Sequence, residues 1–138
     1  MNSVGIVCIS RIKIIYFRRE FSVFRRRILS GWYKKQAHIQ IPKRVRHYAN
    51  IVGEPFSRIF IKNQKSRWGS CSSAGNLNFN WRLMMAPLTV LDYVVVHEIS
   101  HLKQMNHSKE FWAEVEKVLP DYQEQKKWLD ENGRLLQI

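Results

Sequence analysis

Residues 91–101 read LDYVVVHEISH, and no other stretch limits the possible folds as tightly. His97 and His101 stand four apart, so on an α-helix turning about 100° per residue they share one face. Three consecutive valines precede them, each less favourable in a helix than alanine by up to ~0.7 kcal/mol. Burying one valine side chain stabilises by about 1.5–3 kcal/mol, so this segment is a helix only where packing overrides propensity. The expectation is a buried helix that carries two imidazoles and a carboxylate. Unpaired buried polar groups cost several kcal/mol each, and one bound divalent cation would satisfy all three together. The His97-Glu98-x-x-His101 spacing suits this, because it places two ligands beside one ion and leaves Glu98 next to it as a free base.

Such a site needs a third ligand, and His107 is the candidate. On a straight continuation of the helix it would lie about 9 Å beyond His101 and on another face, so the chain must turn first. Asn106, which tolerates left-handed backbone angles, and Ser108, a good N-cap, suit the end of one helix and the start of the next. The same histidine spacing occurs in HExxHxxGxxH zinc proteases, with Gln104 here in the place of their glycine. Glu110 and Glu114 are the alternative third ligands.

At 138 residues the chain is one domain in size and large enough to bury a core unaided. No stretch approaches the ~20 apolar residues of a membrane span. The run MNSVGIVCISRIKIIYF is interrupted by Arg11 and Lys13 and lacks a small-residue cleavage site, so it reads as a strand or ragged tail and not as an export signal. Cys8 and Cys71 form no CxxC pair and are too few for a disulfide framework, which points to a reducing cytoplasm. The net charge of +12 is lopsided: residues 1–70 hold 16 Lys+Arg against 2 Asp+Glu, and residues 71–138 hold 7 against 9. A basic half of this kind attracts anionic substrates or polyanions, or else forms solvated helix faces.

Helical spacing runs from about Arg19 to Asn50, with a break expected at Pro42 and a stop at Gly53 and Pro55. FSRIFIKNQ alternates apolar and polar residues. RWGSCSSAGNLNFNW holds turn residues Ser73 to Asn76 between two extended segments, so a small antiparallel sheet is expected. Helix returns over 88–105, with Thr89 and Asp92 as its start signal, then from Ser108 to Leu119, and last from Pro120-Asp121 to Gly133. The fold class is α+β and helix-rich. Trp81, Phe111, Trp112 and Trp128 sit at core positions, and Cys71 reads as a small buried residue.

Three segments, NQKSRWGSCSSAGNLNFNWRLMMAP, LDYVVVHEISHLKQMNHSKEFW and LPDYQEQKKWLDENG, together resemble the YgjP-like metallopeptidase domain, a zincin family related to the SprT and WLM groups. The resemblance spans roughly residues 28–136. It implies a zincin-like domain over 28–138, with residues 1–27 as an unmatched segment in place of a longer β-rich region. It also implies His97, His101 and His107 as ligands of one Zn2+ per chain, and Glu98 as the catalytic acid/base on an HExxH helix.

The chemistry implied is metal-assisted hydrolysis by a zinc-activated water, with Glu98 as general base. KSRWGSC is a second place for function: Arg67, with Lys65 near it, suits a substrate carboxylate or phosphate, or else a structural ion pair. The leading reading is a zinc metallopeptidase acting on a peptide or protein. A zinc-dependent nucleotide phosphohydrolase or pyrophosphatase would use the same site. A basic nucleic-acid-binding module with structural zinc is the third class, disfavoured because no fourth protein ligand is evident.

Overall fold

The computed structural model describes residues 5–9, 12–16 and 23–136, with side chains from residue 26 onward. Strands β1 (Gly5–Ile9) and β2 (Ile12–Tyr16) pair antiparallel, with Gly5 opposite Tyr16 and Ile9 opposite Ile12. The N-terminal run is therefore a strand pair where it is described. Phe21 and the expected helix start at Arg19 lie outside the described residues.

Helix α1 (Val23–Val52) runs unbroken through Pro42, against the expected interruption. Pro42 removes one backbone donor, but Ile41 and Val45 beside it are fully buried, and their packing outweighs the loss. The boundary at 27/28 falls inside this helix. Gly53, at φ 79°, closes α1 by donating to the Ala49 carbonyl at 2.8 Å.

Three strands form the main sheet: β3 (Ile59–Lys62), β4 (Gly69–Cys71) and β5 (Leu77–Asn80), in the order β3-β5-β4. β4 and β5 form the antiparallel pair expected around residues 73–76, with Gly75 at φ 82° in the turn. β3 instead runs parallel to β5, so the sheet is mixed and not purely antiparallel. The reason lies in burial. Every residue of β5 is buried, which makes it the central strand, and β3 and β4 flank it. Asn80 then fixes the connection between β3 and β4 by donating from Nδ2 to the carbonyls of Gln64 (2.7 Å) and Arg67 (3.1 Å).

A 3-10 turn (Trp81–Met85) leads into α2 (Leu88–Ser100), followed by α3 (Lys109–Val118), α4 (Tyr122–Asn132) and a closing 3-10 turn (Gly133–Leu136). α2 starts after Pro87, and Thr89-Asp92 is not its cap. Asp92 serves another purpose: it accepts from Arg44 Nε and Nη2, both at 2.7 Å, and so bolts α2 to α1. Residues 90–96 of α2 are all buried, which is the packing that three valines required.

Candidate metal centre

α2 ends at Ser100, five residues earlier than the periodicity predicts, and His101 is its C-cap. Lys103 N and Gln104 N both donate to the Ser100 carbonyl, at 3.1 and 3.0 Å, which tightens the chain into a turn. Ser108 then caps α3 by accepting from Phe111 N at 3.4 Å, and Lys103 Nζ meets Glu114 Oε2 across the turn at 3.4 Å. Between these fixed points the chain doubles back and swings His107 over α2.

The Nε2 atoms of His97 and His107 lie 3.1 Å apart, and so do those of His101 and His107. Among the described residues these three histidines form a group able to hold a metal ion, with ligand atoms within 4.8 Å of one another. Three nitrogens cannot all satisfy one another, since one proton serves only one pair. The edge of a tetrahedron with metal–nitrogen bonds of 2.0–2.1 Å is about 3.3 Å, close to the two 3.1 Å separations. Glu110 is exposed and Glu114 is engaged by Lys103 and Lys117; neither joins the cluster.

The opposite ring nitrogens have partners of their own. His101 Nδ1 lies 3.0 Å from the Gln104 carbonyl, which fixes the proton on Nδ1 and leaves the Nε2 lone pair facing the cluster. Gln104 thus contributes its backbone where the HExxHxxGxxH pattern has glycine. His97 Nδ1 lies 3.5 Å from the Tyr93 hydroxyl one turn earlier. Below them Phe111, fully buried, stacks on His101 at 4.5 Å, and Trp112 stacks on His107 at 6.0 Å. Burial, followed by the neighbouring imidazoles and Lys126, pushes His97 down to about 3, and burial also lowers His101. Both rings are neutral near pH 7, the form a metal needs.

Glu98 is buried beside His97 and rests against Gly69 of β4. A Cβ on Gly69 would stand 3.0 Å from Glu98 Cγ and 3.3 Å from Oε1. Burial pushes its carboxyl up to about 8, opposed by the positive charge of Arg67. Arg67 itself is exposed on the loop before β4, and among the described residues no carboxylate is paired with it. Cys71, on β4, is half-buried and outside the histidine cluster. The roles of Tyr93 and Gly69 escaped the sequence reading, which placed Trp112 in the core but not against His107. Tyr93 was accessible from its position four residues before His97, while Gly69 and Trp112 depend on contacts between elements remote in sequence.

The YgjP-like, metallopeptidase domain matches residues 11–132. The chain belongs to this family. It is a metallopeptidase-type hydrolase whose family implies a divalent metal, and the three histidines could hold it. Two solved structures share the fold. The metallopeptidase zymogen of Pyrococcus abyssi abylysin aligns with a TM-score of 0.60 at 24% identity, over 67% of this chain and 94% of that one. That of Methanocaldococcus jannaschii jannalysin aligns at 0.59 and 22% identity, over 67% and 95%. None of the curated proteins matches the chain. Among the described residues no helix is long and apolar enough to cross a membrane.

Proposed function

We propose that this YgjP-like domain is a zinc-dependent peptidase in which His97, His101 and His107 hold one zinc ion and Glu98 is the general base. The observation that carries the reading is the convergence of three imidazole Nε2 atoms, with His97 on the same helix as the buried Glu98 that follows it in sequence. When bound, zinc supplies Lewis acidity and lowers the pKa of water toward ~7. Glu98 accepts a proton from the attacking water and delivers it to the leaving amine nitrogen as the C–N bond breaks. A cation beside Glu98 favours its ionised form, against the burial that raises its pKa in the metal-free protein. Tyr93 and the Gln104 carbonyl hold two of the rings in place. Arg67 orients substrate by meeting a carboxylate.

The family favours peptides over the phosphohydrolase and nucleic-acid readings. A cytoplasmic setting goes with it, given two cysteines and no CxxC pair. The hydrolase unit is placed at 28–138 by the resemblance, while the family match itself extends back to residue 11. The test is a parallel assay of casein-type peptides and nucleoside triphosphates with the zinc-loaded protein and its Glu98→Gln variant. Peptide cleavage that disappears in Glu98→Gln while zinc stays bound supports the reading. Phosphate release without peptide cleavage overturns it.

A further inference from the structure

Two shallow depressions share Asp130 in their walls. One, of about 400 Å³, has Trp112, Tyr122, Lys126 and Lys127 in its walls. The other, of about 390 Å³, is lined by Lys65, Arg67, Trp68 and Arg134 among others. The first adjoins the cluster directly: Trp112 stacks on His107, Tyr122 stacks on Trp112 at 5.2 Å, and Lys126 Nζ lies 5.8 Å from the Trp112 ring. The second approaches Glu98 through Arg67, which sits two residues before Gly69, the β4 residue that rests against Glu98.

The lining holds five cationic side chains and one anionic one, Asp130. General basicity does not account for this, because residues 71–138, which supply three of the five, carry more acids than bases. α4 also sorts its charges. Tyr122, Lys126 and Asp130 follow at helical spacing along the groove, Glu124 lies well over 100° round the helix from Lys126, and Glu131 pairs with Lys127 at 3.8 Å.

We propose that this groove binds acidic peptide segments, with Arg67 and Lys126 each receiving a substrate carboxylate. The proposal rests on the peptidase reading and names its substrate class. The cations are spread along the groove with Asp130 between the two depressions. Separate carboxylates on an extended chain can meet cations on either side of Asp130, whereas a polyphosphate laid across it would meet the Asp130 charge. The stacked Trp112 and Tyr122 give the peptide an apolar floor beside His107.

The test is fluorescence anisotropy at low salt with zinc-loaded Glu98→Gln protein and labelled short peptides, rich in Asp/Glu or in their Asn/Gln counterparts. The acidic peptide binds roughly tenfold more tightly, and the preference vanishes in the added Arg67→Gln/Lys126→Gln pair. Both positions are exposed, and circular dichroism checks that the pair folds. Equal affinities, or a preference that survives the pair, overturn the proposal. So does displacement of the peptide by a nucleoside triphosphate at lower concentration than unlabelled acidic peptide. Wild-type protein given the same peptides separates the two readings. Equal cleavage of both peptides sinks the groove and leaves the peptidase; acidic binding without any cleavage sinks the peptidase and leaves the groove.

Discussion

Glu98 lies against the α-carbon of Gly69, so closely that the helix carrying the proposed base and the edge strand β4 leave no room for a side chain between them. A methyl group there would stand 3.0 Å from both Glu98 Cγ and the Asn78 carbonyl oxygen. Gly69→Ala should lower stability by about 1–3 kcal/mol and displace the Glu98 carboxylate. Turnover should fall more than tenfold with metal content unchanged, measured by urea denaturation, peptide assay and elemental analysis. Loss of metal instead would mean that Gly69 supports the histidines.

The Arg44–Asp92 pair holds α1 to the helix that carries His97. The Asp92 side chain is only 10% exposed and that of Arg44 29%, so removing the cation strands a largely buried carboxylate. Arg44→Ala should cost about 2–4 kcal/mol of unfolding free energy, while a double replacement by apolar residues should cost less. A double-mutant cycle by chemical denaturation reads this difference.

Cys71 should be a slow thiol. Burial first, and the nearby Glu98 charge second, push it up to about 11 from the ordinary value near 9. The thiolate is the reactive form, so at pH 8 alkylation should run roughly a hundredfold below that of a free cysteine and climb as pH rises toward 11. Iodoacetamide labelling of a Cys8→Ser variant across pH 7–11 checks this. Ordinary reactivity at pH 8 would place Cys71 in a more open or more positive setting.

Ser108 closes the turn that returns His107 to α2. Ser108→Ala should cost about 1 kcal/mol in helix stability, and should weaken zinc binding because the adjacent His107 loses its anchor. Competition with a chromophoric chelator measures the second effect.

The sequence carried the histidine constellation because HExxH and the return to His107 are local, set by helix period and capping residues. His97, His101, the Ser108 cap and the α3 and α4 boundaries are legible for that reason. The parallel partner of β5 was not, since strand order follows from which strand is buried on both faces, and alternation in FSRIFIKNQ looks the same in either pairing. The continuity of α1 through Pro42 was missed because tertiary packing of Ile41 and Val45 overrode a local penalty. Asp92 resembled a capping residue, and only its distance from Arg44, 48 positions earlier, gives its actual role. Arg67 could be named but not placed, for the same reason.

The most direct test of the metal centre is zinc content by elemental mass spectrometry, on untagged protein purified without chelator, for the native chain and for His107→Ala. The account predicts about one zinc per native chain, as a three-histidine site requires, and a large loss in the variant with its fold retained by circular dichroism. Full zinc occupancy in His107→Ala, or none in the native chain after incubation with zinc, would contradict it.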